Sequence, residues 1–184
     1  MLASTKYTYR HNQIAKYVHW WILKDLEIHV TDNWLKHVPE EIVEKNNIVV
    51  MWDTPIITDK KVKHNRPDIT VHDTKKRTCL FIDIAIPVCK NEVSKTAEKI
   101  VKYRDLEIET QKCWDLKKVR TVPIIIGALG TVCKDLNEYT KIISENIDFN
   151  IIQKTTILGT AHILRSFLTP TTKSNPHIES PGDE

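Results

Sequence analysis

An aspartate stands in the middle of the most apolar stretch of this chain. Cys79-Leu-Phe-Ile-Asp-Ile-Ala-Ile-Pro87 reads as a β-strand covered on both faces, with Asp83 at its centre. A carboxylate there is costly unless it is hydrogen-bonded, paired or metal-bound. Alternation divides the run into two rows. Leu80, Ile82, Ile84 and Ile86 face one way, while Cys79, Phe81, Asp83 and Ala85 face the other. In the preceding segment, Asp68-Ile-Thr-Val-His-Asp73, Ile69 and Val71 take the core side, which puts Asp68, Thr70 and His72 on the face of Asp83. The four residues Thr74 to Arg77 between the two segments are of hairpin length. A turn centred on Lys75 and Lys76 sets Asp68 directly across from Asp83, with Cβ atoms about 5 Å apart.

Two carboxylates so placed either share a proton or hold a cation, and oxygen donors alone point to Mg²⁺ or Mn²⁺. Each acid also has a plainer reading by itself. Asp68 after Pro67 suits a turn, and Asp83 can pair with a Lys or Arg of a neighbouring helix. Their joint placement on one face favours the metal. The segment after the strand offers Lys95, Lys99 and Lys102 on one helical face, and the small Ala85 leaves room for a lysine beside Asp83.

The remaining pattern predicts a mixed α/β domain with a central sheet flanked by helices. Asn12 caps a first helix with Ile14, Tyr17, Val18, Trp21 and Ile22 on one face, and Trp34 to Lys45 reads as a short helix restarted at Pro39. Ile48–Trp52 and Pro55–Thr58 read as extended. A long helix is expected over 91–113, a buried strand over 122–128 and helices over 134–145 and 150–168, the last with a stripe of Ile157, Ala161, Leu164 and Leu168. The expected division is one domain over 1–168, with a helical part at 9–47, a core at 48–130 and C-terminal helices at 131–168. A disordered tail is expected over 169–184.

Charge excludes a histone-like binder, since 27 Lys and Arg against 24 Asp and Glu leave a net charge of only +3. No apolar run reaches the roughly 18 residues of a membrane span, and no secretion signal opens the chain, so a soluble nuclear or cytoplasmic protein is expected. Cys79, Cys89, Cys113 and Cys133 lack close Cys/His pairing, so reduced thiols are expected rather than structural zinc.

Asn65-Arg-Pro-Asp-Ile69, Leu80-Phe-Ile-Asp-Ile-Ala-Ile-Pro87 and Glu98-Lys-Ile-Val-Lys-Tyr103 together resemble the restriction-like endonuclease domain of site-specific non-LTR retrotransposons, a branch of the PD-(D/E)XK nuclease superfamily. Arg10-His-Asn12, Trp52-Asp-Thr-Pro-Ile56, Val122-Pro-Ile-Ile-Ile-Gly-Ala-Leu-Gly130 and Gly159-Thr-Ala-His162 extend the resemblance over most of residues 9–168. It implies a restriction-endonuclease-like core in which Asp68, Asp83 and Ile84 hold Mg²⁺ or Mn²⁺. Ala85 stands where the simple motif has its lysine, and the family's lysine displaced to the following helix is matched by Lys99 or Lys102. It further implies nicking of double-stranded DNA to prime reverse transcription, with a reverse transcriptase and its RNA as partners in trans. The chain contains neither a reverse transcriptase domain nor a cysteine-histidine zinc knuckle, so a fragment, a domesticated descendant or a decayed copy is expected.

Lys60, Lys61, Lys63 and Arg66 before the first acid, and Lys75, Lys76 and Arg77 in the hairpin turn, are the expected DNA contacts, with Lys112, Lys117, Lys118 and Arg120 as further basic positions. Such runs are commonly just solvated. His11, His19, His64, His72 and His162 read as ordinary, with His72 the one able to reach the cleft. Two other functions compete: a non-catalytic nucleic-acid-binding remnant, and an interaction domain using the Trp-rich first helix.

Overall fold

A computed structural model describes residues 2–88, 92–132 and 135–168. Among the described residues, five strands form one mixed sheet in sequence order: β1 Ile42–Lys45, β2 Ile48–Trp52, β3 Ile69–Asp73, β4 Thr78–Ala85 and β5 Lys118–Ile125. The first four are antiparallel neighbours, and β5 runs parallel to β4. Parallel pairing requires a crossover. It is made by α2 Glu92–Lys102 and α3 Arg104–Cys113. Helices α1 Leu2–Asp25, α4 Leu136–Ile143 and α5 Phe149–Leu168 complete the fold. Among the described residues no helix is long and apolar enough to cross a membrane.

The two rows of β4 separate two cores. Ile82 and Ile84 pack with Ile14, Val18, Val50, Ile69, Val122, Ile124 and Ile152, beneath α1, α4 and α5. Cys79 and Phe81 face the other way, against Ile56, Tyr103, Leu106 and Leu116. Ile69 pairs with Ile82 and Asp73 with Thr78, the register expected from the turn at Lys75 and Lys76.

Several expectations need correction. Helix α1 begins well before Asn12, because nothing between Leu2 and Arg10 breaks a helix. Residues 42–45 are a strand, not helix. Asn46 and Asn47 both take positive φ, 52° and 66°, making the two-residue turn that joins β1 to β2. Residues 54–58 lie outside the sheet, although Ile56 is buried and its N–H donates to Asn65 O. The long helix is interrupted at Tyr103, where ψ is 4°. Strand β5 starts four residues early and ends at Ile125, with Pro123 tolerated because β5 is an edge strand. The stripe on α5 faces outward: Ile157, Ala161, Leu164 and Leu168 are exposed, and Ile152, Thr156 and Ile163 are the buried positions. Within the Trp-rich first helix Trp20 is buried, with its indole N–H donating to Thr31 O, and Trp21 is half-buried. Cys79 is a buried free thiol and Cys113 a half-buried one. Cys89, Cys133 and the tail expected over 169–184 lie outside the described residues.

Beneath α1, His19 is fully buried, with its Nδ1 2.8 Å from Nε2 of His37 and its ring edge-on to Trp52. One nitrogen donates and the other accepts, so the pair excludes protonation of both rings, and burial disfavours any charge on His19. Burial, and then the neighbouring His37, lower the His19 pKa to about 3. The unfolded chain protonates near 6.5 and the native chain does not, so acid favours unfolding. Urea unfolding is expected to show no loss from this pair above pH 7 and a loss of roughly 2–3 kcal/mol by pH 4.5. His19→Gln should flatten that acid limb, and an unchanged limb would contradict the assignment.

Candidate active site

Asp68 sits one residue before β3, where the chain leaves the loop that Arg66 anchors. The Arg66 Nε donates to Asp53 O at 2.7 Å, and its guanidinium pairs with the Asp53 carboxylate. Asp53 N–H donates to Asp68 O, continuing the β2–β3 pairing by one rung. The Asp68 side chain then accepts the Ile84 N–H at 2.6 Å, taking the place of a strand partner beyond the end of β3. Asp68 thereby reaches the residue next to Asp83, as the register predicts.

Asp83 is buried, and its carboxylate meets three groups from α2 and the kink after it. Lys99 Nζ lies 2.6 Å from Oδ2, Lys102 Nζ 3.2 Å from Oδ1, and the Tyr103 hydroxyl donates to Oδ1 at 2.5 Å. Lys102 also donates to Tyr103 Oη. Burial, and then the charge and hydrogen bond of Asp83, push the Tyr103 phenol pKa up and keep it a donor. The third helical lysine, Lys95, pairs with Glu98 instead.

On the other side, His11 of α1 places Nε2 3.1 Å from Asp68 Oδ2 and 3.2 Å from Ile84 O, with Nδ1 3.0 Å from Asn12 Oδ1. Acceptors at both ring nitrogens call for imidazolium. Burial opposes that charge, but the hydrogen bond and charge of Asp68, aided by Asn12 and Asp83, raise the His11 pKa to about 9. A raised native pKa means this contact stabilises fully below pH 6.5 and is lost as pH rises through 9.

Each acid thus already has a cation of the protein beside it, so the burial of Asp83 is explained without a metal. This is the plainer reading of Asp83, a buried acid paired with lysines of the neighbouring helix. The donor set nevertheless fits a hard divalent ion. Asp68, Asp83 and the Ile84 carbonyl offer oxygen alone, and among the described residues no group of three or more His, Cys, Asp or Glu is placed to hold a metal ion, so an ion here would have only two carboxylates and a carbonyl from the protein. Mg²⁺ characteristically uses one or two carboxylates and keeps water. Asp83 Oδ2, although ion-paired, has no partner in hydrogen-bonding geometry.

Other expected residues are placed differently. The turn bearing Lys75, Lys76 and Arg77 lies at the far end of the hairpin, about five residues or 17 Å from the acids. There Lys76 pairs with Asp73, and Arg77 with Asp115. Lys117 and Lys118 lie at that same far end, so these cations do not ring the carboxylates. Lys60, Lys61 and Lys63 lie in the loop that leads to Asp68, and His64 of that loop shares a shallow pocket with Lys99 and Lys102. His72 stacks on Trp114 and stays out of the cleft. The missed residues are His11 and Tyr103. Tyr103 had a signal, since it lies four residues from Lys99 and a buried phenol needs an acceptor. His11 had no local signal, being 57 residues from Asp68, and stood out only as part of Arg10-His-Asn12 in the resemblance.

No protein-family model and no curated protein matches the chain.

Proposed function

We propose that this protein is a Mg²⁺- or Mn²⁺-dependent DNA endonuclease with a PD-(D/E)XK restriction-endonuclease-like core. The observation that carries the reading is the convergence of Asp68, Asp83 and the Ile84 main chain with Lys99 and Lys102 at one point of the β3–β4 hairpin. Asp68, Asp83 and the Ile84 carbonyl hold the ion. When bound, it polarises a phosphate oxygen and lowers the pKa of a coordinated water. Lys99 and Lys102 neutralise charge developing on the phosphorane oxygens, with Tyr103 fixing Lys102 in place. His11 orients Asp68. The cations at 60–66 hold the DNA backbone by charge, and the resemblance adds a reverse transcriptase and its RNA as partners in trans.

Supercoiled plasmid tests this. Purified protein is expected to convert it to open circles in Mg²⁺ or Mn²⁺ and to stop when EDTA is added. One observation favours a second reading: His11, Lys99 and Lys102 compensate both acids without an ion, as in a domain that binds DNA and does not cut it. Salt-dependent DNA binding with no nicking in either metal would establish that second reading instead.

A further inference from the structure

Beside Asp68, on the side away from the lysines, lies a cavity of about 490 Å³ lined by residues of α1 and the β2 end, among them Tyr7, Arg10, His11, Trp52, Asp53 and Asp68. Arg10 is its unusual member. It is only 4% exposed, yet among the described residues no carboxylate pairs with it. Its Nη1 donates to Thr160 Oγ1 at 2.6 Å, while its Nε has no hydrogen-bond partner. A guanidinium carries five donors, and burial with donors unmet is costly. Burial lowers its pKa, in keeping with that cost.

The surroundings hold the side chain rather than neutralise it. The Thr160 hydroxyl lies within donating distance of Ala128 O and Thr156 O, which turns a lone pair towards Arg10. A Cβ at Gly159 would stand 2.7 Å from Arg10 Cγ, so only glycine lets the arginine lie along α5. The carboxylates of the cavity are already matched, Asp53 by Arg66 and Asp68 by His11. Arg10 is left as the uncompensated charge. Tyr7, whose ring centre is 5.4 Å from the guanidinium carbon, and Trp52 add aromatic surface.

We propose that this cavity is a phosphate subsite in which Arg10 receives a backbone phosphate of the DNA strand, next to the phosphate held at Asp68, with Tyr7 and Trp52 against the adjoining nucleotide. The guanidinium fork suits a phosphodiester. The inference rests on the nuclease reading for the identity of the strand, not for the anion site itself.

Binding of a short duplex measured in EDTA, where no cutting occurs, tests it. Arg10→Gln is expected to weaken binding about tenfold and to reduce the slope of log affinity against log salt by about one. A folded Arg10→Gln protein with wild-type affinity and slope overturns the proposal. If that variant does not fold, the wild-type chain decides through the Arg10 Nε–H resonance, which should shift on saturation with duplex and be overturning if it stays still. Inorganic phosphate at matched ionic strength separates the sources: a response to phosphate as strong as that to duplex makes this a free-phosphate site and overturns the strand assignment. The two readings fail separately. Normal nicking by Arg10→Gln with unweakened duplex binding removes only the subsite, and Arg10-dependent binding without nicking removes only the catalysis.

Discussion

Asp83→Asn is expected to keep the fold and to slow plasmid nicking by roughly a thousandfold, the upper range for loss of one group that stabilises a transition state. The amide has the shape of the carboxylate and retains an oxygen for the Tyr103 hydroxyl, so the core around Phe81, Tyr103 and Leu106 is undisturbed. Only the charge is removed, and with it the anionic ligand of the ion. Lys99 is left without its counter-charge but is 17% exposed and can swing to water on its flexible stem. Initial rates at equal circular-dichroism signal measure the effect. A folded variant that nicks at the wild-type rate would remove Asp83 from the chemistry.

The double substitution Lys99→Met/Lys102→Met is expected to destabilise the metal-free chain by about 3 kcal/mol in urea unfolding at pH 7, because a buried carboxylate loses both its cations. Methionine keeps the length and apolar contacts of the lysine stems, so cavity formation adds little. Mg²⁺ should restore part of the stability, since an ion bound by the native state alone stabilises it. Loss without any recovery in Mg²⁺ would mean that the lysines serve Asp83 and no metal does.

How far these features could be read from the sequence depends on whether the signal was local. The β3–β4 hairpin was legible because alternation fixes each row and a one-residue slip would bury Asp83 and Asp68 on the wrong faces. The pairing Ile69 with Ile82 follows from that constraint. Spacing put Lys95, Lys99 and Lys102 on one helical face, and the resemblance singled out Lys99 and Lys102. Strand β1 was not, since Glu40 and Glu41 after Pro39 imitate a helix start, and tertiary pairing with β2 outweighs that propensity. The basic turn at Lys75 to Arg77 shows the opposite failure: proximity in sequence to both acids placed it at the site, whereas an extended hairpin carries its turn to the far end. His11 and Arg10 reach the site only because α1 lies across β4 and α5, a packing that no short-range pattern reports. Arg10 to Asn12, Trp52 with Asp53, and Gly159 with Thr160, far apart in the chain, meet around Arg10 and its cavity.

Paramagnetic broadening by Mn²⁺ addresses the central claim most directly, because it reports where the ion sits whether or not DNA is cut. The amide signals of Asp68, Asp83, Ile84 and His11 are expected to broaden first at substoichiometric Mn²⁺, and Asp83→Asn should abolish that selectivity. Broadening confined to other acidic residues, or identical in wild type and Asp83→Asn, would contradict a divalent-ion site on this hairpin.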